Sequence, residues 1–277
     1  MTTTAIAATP TRTRAVPPAS RRPGLQDTMR SELTKILSVR STYWTLLAQA
    51  VASIGWAVLA CAGTVSHGAG PGFDPTGSSL LGQVALGELV IVVLGALVIT
   101  SEYSTGMIRT SLAVMPRRGV LYAAKAMVFA AVTLTISLVT SFLDFFIGQA
   151  ILSSKHYNTT LTQPGVLRAV LLSAAIVTVF GLLAYGAGAI IRHSAGAITS
   201  ILGVIFLIPL LAQALPTPWF HALVRWLPGG EALTPIARAA AAPSSYLFNA
   251  WGEFAVFSGY AVFMLVLGAW SFIRRDA

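Results

Sequence analysis

The chain has 277 residues, of which 55% are hydrophobic and only 10% charged. Soluble globular domains carry about a quarter charged residues, so the composition excludes one and indicates an integral membrane protein. The formal net charge of +9 would suit nucleic acid, but basic residues in membrane proteins collect on the cytoplasmic side for topological reasons, and no nucleic-acid partner is expected.

Residues 1–24 combine Thr, Ala, Pro and Arg without the apolar core of a signal peptide, and read as a disordered cytoplasmic tail. From 26 to 40 the pattern changes: Leu25, Met29, Leu33, Ile36 and Leu37 recur at spacings of three to four, while Arg30, Glu32, Lys35 and Arg40 take the other side. This amphipathic helix leads into an apolar run, so it is expected to lie in the membrane interface. Tyr43 and Trp44 mark the headgroup level. A hydrocarbon core of about 30 Å needs about 20 residues of helix. Six runs qualify, at about 43–63, 80–100, 126–152, 169–191, 195–215 and 255–273. The expected fold is therefore all-α, a single transmembrane domain over 25–277.

The lone cysteine, Cys61, lies in the first apolar run and leaves no disulfide framework or cysteine-based metal site. The second run carries Gln83 and Glu88. A carboxylate near mid-membrane opposes insertion by about 2.5–3.5 kcal/mol, so Glu88 should face protein or water, or be protonated. Between the second and third runs lies a polar segment, 101–125, holding Glu102, Gly106, Arg109, Pro116, Arg117, Arg118 and Lys125. In the third run Thr133, Ser137, Thr140, Ser141, Asp144 and Gly148 share one helical face, which reads as a packing surface or a substrate-facing stripe. Asp144, near the outer end, is at a depth where Arg168 is expected to pair with it.

Gly181, Gly186 and Gly188 thin one side of the fourth run and let another backbone approach. Arg192 to Ser194 make a tight hairpin, and the four histidines are isolated, with no metal-ligand spacing. The segment 216–254 holds Trp219 and Trp226 in an apolar stretch too short to cross, ending at Pro228, and suits an interfacial or partly re-entrant outer helix.

Six spans put both termini on one side. Lys and Arg number 14 in the terminal regions and the alternate links, against Lys155, Arg168, Arg225 and Arg238 in the others. The positive-inside rule then places both termini and 101–125 in the cytoplasm; the excess of arginine over lysine and the abundant alanine suit a bacterial genome of high GC content, and a bacterial cell membrane is the expected location. The lysines are preceded by Thr34, Ala124 and Ser154, so no G-x-x-x-x-G-K-[ST] loop exists. H-E-x-x-H and G-x-S-x-G are absent too. No catalytic, cofactor-binding or metal residue is expected, and the chain reads as a non-enzyme.

The stretches SELTKILSVRSTYWTLL, SEYSTGMIRTSLAVMPRRGVLYAAK, WLPGGEAL and the terminal RRDA, in this order over about residues 29–277, resemble a permease subunit of the type-2 ABC exporter family. The resemblance implies an elbow helix at 26–40 and a cytoplasmic coupling helix within 101–125. Glu102, Gly106 and Arg109 match the E…G-x-x-R part of the family pattern, and Pro116, Arg117, Arg118 and Lys125 the P-R-R…K part. Many relatives read L-P-x-x-A-G in the outer loop; here Leu227 and Pro228 are followed by Gly229, Gly230 and Glu231. The implied partners are two copies of a soluble P-loop ATPase that binds ATP and Mg, a second permease copy, membrane lipids and a small amphipathic substrate of drug, lipid or peptide class. Two other readings stand beside it: a proton-coupled secondary transporter using Glu88 and Asp144, and a non-transporting sensor or scaffold.

Overall fold

In hydrocarbon every backbone N–H and C=O must be satisfied within its own segment, so a long apolar run folds as a helix. The computed structural model describes residues 24–114, 117–214, 219, 226–227, 234–239 and 249–274, and every regular element among them is helical. α1 (Leu25–Ser38) ends where Val39 adopts an extended ψ of 114°, and α2 (Arg40–His67) follows at once. α3 (Pro75–Ser104), α5 (Arg118–Lys155), α6 (Val166–Ile191), α7 (Ser194–Leu211) and α9 (Ala250–Arg274) join α2 as six helices long and apolar enough to cross a membrane. They fit a multi-pass membrane protein. Two short helices also lie among the described residues, α4 (Met107–Val114) between α3 and α5, and α8 (Thr234–Ala237) before α9.

The six expected runs all appear, and most are longer than their apolar cores. α3 starts at Pro75 because Asp74 caps it: the carboxylate accepts hydrogen bonds from the backbone N–H of Thr76 (2.9 Å) and Gly77 (3.3 Å), with Pro75 at the first helical position. The segment 101–125 is not one element. It comprises the end of α3, the whole of α4 and the first two turns of α5. Gly106, at φ +70°, makes the break that lets α4 leave the axis of α3, a conformation with little cost only for glycine.

α6 is the centre of the bundle and packs on α3, α5 and α9. Glycine sets how closely. A Cβ on Gly95 would collide with the carbonyl of Gly181, and one on Gly186 would stand 2.6 Å from the backbone of Met264. The glycines of the fourth run thus act as expected, and short backbone separations of this kind are what hold helices together in lipid. Tyr185, Phe129, Phe180 and Phe257 fill the remaining space, while Trp44, Leu59, Phe146 and Val266 stay exposed on the outside of the bundle. Two helices carry a single π-helical turn, at Gln83–Gly87 in α3 and Gly203–Leu207 in α7. The N-terminal tail before Gly24 and most of the outer segment 216–254 lie outside the described residues.

Candidate functional site

At the end of the bundle where α1 packs on α5, four charges form a network. Lys125 Nζ lies 2.5 Å from Glu32 Oε2 and 2.7 Å from Glu102 Oε1. Lys35 Nζ lies 2.7 Å from Glu32 Oε1 and 3.6 Å from Glu102 Oε1, and also donates to Ser111 Oγ at 3.3 Å. Glu32, Glu102 and Lys125 are at most 5% exposed. Two cations and two carboxylates balance, as burial requires. The network ties four elements together: α1 through Glu32 and Lys35, α3 through Glu102, α4 through Ser111, and α5 through Lys125. Burial pushes the Glu32 carboxyl up, but the Lys125 and Lys35 ammonium groups outweigh it and hold Glu32 below the ordinary value. For Lys35, burial acts downward, and Glu32 and Glu102 more than offset it, leaving the ammonium above its ordinary value.

This arrangement corrects the sequence reading of α1. Glu32 was expected on the side opposite Leu33, Ile36 and Leu37; instead Thr28, Glu32 and Ile36, one turn apart, are buried together, and Leu25, Leu33 and Leu37 are exposed. The polar stripe faces protein and the leucines face outward because the surroundings of a membrane protein are apolar. Spacing by four of Thr28, Glu32 and Ile36 was the signal available in the sequence.

The other residues of the polar segment separate. Arg118 is half-buried and its guanidinium reaches the Ile273 carbonyl (3.5 Å) at the end of α9, where a cation complements the helix C-terminus. Arg192 makes a similar contact with the Ser271 carbonyl (3.4 Å) and lies over the Tyr103 ring at 4.9 Å. Arg117 is exposed just ahead of α5. Arg109 belongs to α4, but its side chain, like Pro116, lies outside the described residues.

Toward the other end, the polar stripe of α5 is buried and bonded to neighbouring helices. The Ser137 carbonyl accepts from Gln83 Nε2 (3.1 Å), Ser141 donates to the Val170 carbonyl (2.8 Å), and Asp144 Oδ2 accepts from Ser53. Gln83 also accepts from Gln49 (3.0 Å). Asp144 and Arg168 do not meet: Arg168 donates to the carbonyls of Arg238 (2.8 Å) and Ala239 (3.3 Å).

Glu88 stands apart from both networks. It is 1% exposed, its Oε2 has no hydrogen-bond partner, and it lines a cavity of about 360 Å³. Leu81, Val84 and Phe206 make apolar walls. Asp74 and Arg238 also line the cavity, at the N-terminal end of α3, and pair at 3.6 Å. Asp74, Gly77, Ser78, Leu81, Val84, Ala85 and Glu88 recur at spacings of three and four, so one face of α3 makes most of one wall. Among the described residues no group of three His, Cys, Asp or Glu side chains is placed to hold a metal. No family model matches the chain, and no curated protein matches it either.

Proposed function

We propose that this chain is the membrane-spanning permease subunit of an ATP-binding cassette exporter, present with a second permease copy and driven by two copies of a separate soluble ATPase. The observation that carries this reading is the link between α4 and the four-charge network. α4 is a short helix projecting between two membrane-spanning helices, seated by buried Ile108 and joined through Ser111 to Lys35. A push on α4 reaches α1, α3 and α5 together, because Lys35, Glu32, Glu102 and Lys125 are in contact. That is what a chain with no P-loop of its own needs in order to use nucleotide hydrolysis elsewhere, and such a contact transmits work only where its geometry differs between nucleotide states. In this reading α1 is the elbow helix, α4 the coupling helix, and the end bearing them is cytoplasmic in a bacterial cell membrane.

Glu102 and Lys125 serve this function from inside, by passing movement between helices, and Arg109 and Arg117 serve it by docking the ATPase. The test is a search of the neighbouring genes for a soluble P-loop ATPase, followed by co-expression of the chain with it. The pair is expected to co-purify, and Arg109→Glu with Arg117→Glu to release the ATPase while leaving the permease folded. Retention of the ATPase by that double variant would overturn the assignment. Substrate movement without any ATPase, abolished by Glu88→Gln or Asp144→Asn, would favour the proton-coupled carrier instead.

A further inference from the structure

The cavity beside Glu88 has the size of a small-molecule site, for which about 300–1,000 Å³ is usual, and its chemistry is lopsided. Phe206, Leu81 and Val84 are apolar, Arg238 and Asp74 pair at 3.6 Å at the N-terminal end of α3, and deeper along the helix stands the buried carboxylate of Glu88, whose Oε2 has no hydrogen-bond partner. Glu88 follows Asp74 by 14 residues, which at 1.5 Å per residue places it about 20 Å deeper along α3. A carboxylate so placed is costly unless it takes up a proton or an opposite charge joins it. The two π-helical turns converge here: Val84 and Ala85 belong to one and Phe206 to the other, and all three line the cavity. Such turns cluster at functional sites because they redirect side chains within an otherwise regular helix.

We infer that this cavity binds a cationic amphiphile, with its positive centre against the Glu88 carboxylate and its apolar body between α3 and the Phe206 wall. A cation is favoured over an anion because Asp74 stands 3.6 Å from the Arg238 guanidinium, which also donates to the Gly72 carbonyl at 3.0 Å, whereas Glu88 makes no ion pair among the described residues. The inference rests on the permease reading only in taking the bound molecule as cargo; the binding itself needs no ATPase.

The test uses the full chain in phosphatidylcholine nanodiscs and three labelled probes of similar shape: N-benzyl-N,N-dimethyloctylammonium, neutral N-benzyloctanamide and anionic 4-octylbenzenesulfonate. The ammonium is expected to bind saturably and at least tenfold more tightly than the amide. Glu88→Gln should remove that preference and Glu88→Asp should keep it. Ala85→Phe, which fills the cavity without touching the charge, should weaken the ammonium and the amide alike. Should Glu88→Gln fail to fold, the wild-type preference and the Ala85→Phe result decide the matter. Absence of saturable ammonium binding, equal binding of the amide, tighter binding of the sulfonate, or a preference surviving in Glu88→Gln would each overturn the inference. Ammonium binding by a chain that captures no ATPase would sink the permease reading and leave the cationic site standing.

Discussion

Lys125 serves two buried carboxylates, so its removal is the most damaging single change at the α1 end. Lys125→Met leaves Glu32 and Glu102 buried with only Lys35 between them, and loss of one partner from such a set costs about 3–5 kcal/mol. Glu102→Gln keeps the Lys125 contact with Glu32 and should cost less. Thermal unfolding in detergent checks both, and Glu32→Gln added to Lys125→Met should recover part of the loss, since the two sites are coupled. The network also sets a pH window. Glu32 is depressed on folding, so its contribution is complete above its ordinary value of 4.5 and fades as pH falls through the lowered one. Lys35 is raised, so its contribution is complete below its ordinary 10.5 and fades as pH climbs through the raised value. Stability against pH should therefore show a plateau bounded at both sides, and Glu32→Gln should flatten the acid limb; an unchanged acid limb would detach Glu32 from it. Glu102 and Lys125 were legible in the sequence as charges bracketing a polar segment. Glu32 was not, because helical periodicity separates two faces without saying which one meets protein when the medium outside is lipid.

At the scale of elements, the six spans were legible because run length and apolarity report directly on bilayer thickness. Their ends were not: helices continue past the hydrocarbon wherever caps allow, as Asp74 allows for α3. The glycine seam of α6 was readable from Gly181, Gly186 and Gly188, while its partners Gly95 and Gly268 emerged only from packing. Two substitutions separate close approach from backbone conformation. Gly186→Val wedges α6 away from Met264, an overpacking that costs about 1–3 kcal/mol, and should lower the unfolding temperature. Gly63→Ala, with nothing within 4 Å of the added carbon, should leave it nearly unchanged. Equal effects from the two would mean that the seam is not close-packed. The Glu88 cavity was half legible: the face of α3 is present as spacing, but Phe206 joins it through a π-helical turn that no 3.6-residue periodicity anticipates.

Across the whole molecule, contacts bring the charges of distant segments to the same end of the bundle. α1 sits at the end where Lys125 meets Glu32, and the last turn of α9 comes to the same end, where Arg118 reaches Ile273. Arg30, Lys35, Arg40, Arg117, Arg192 and Arg274 gather there, while Lys155, Arg168 and Arg238 belong to the opposite end. In the proposed reading this basic end is the cytoplasmic one, as the positive-inside rule expects and as the docking of an ATPase requires. Cysteine labelling provides the check, because Cys61 is fully buried and the sequence has no second cysteine. In a Cys61→Ser background, Thr110→Cys reports on α4 and Asn158→Cys on the link between α5 and α6, both at exposed positions. A membrane-impermeant maleimide should modify the Asn158→Cys chain in intact cells and the Thr110→Cys chain only after lysis. The reverse pattern would invert the bundle and put α4 beyond the reach of any cytoplasmic ATPase.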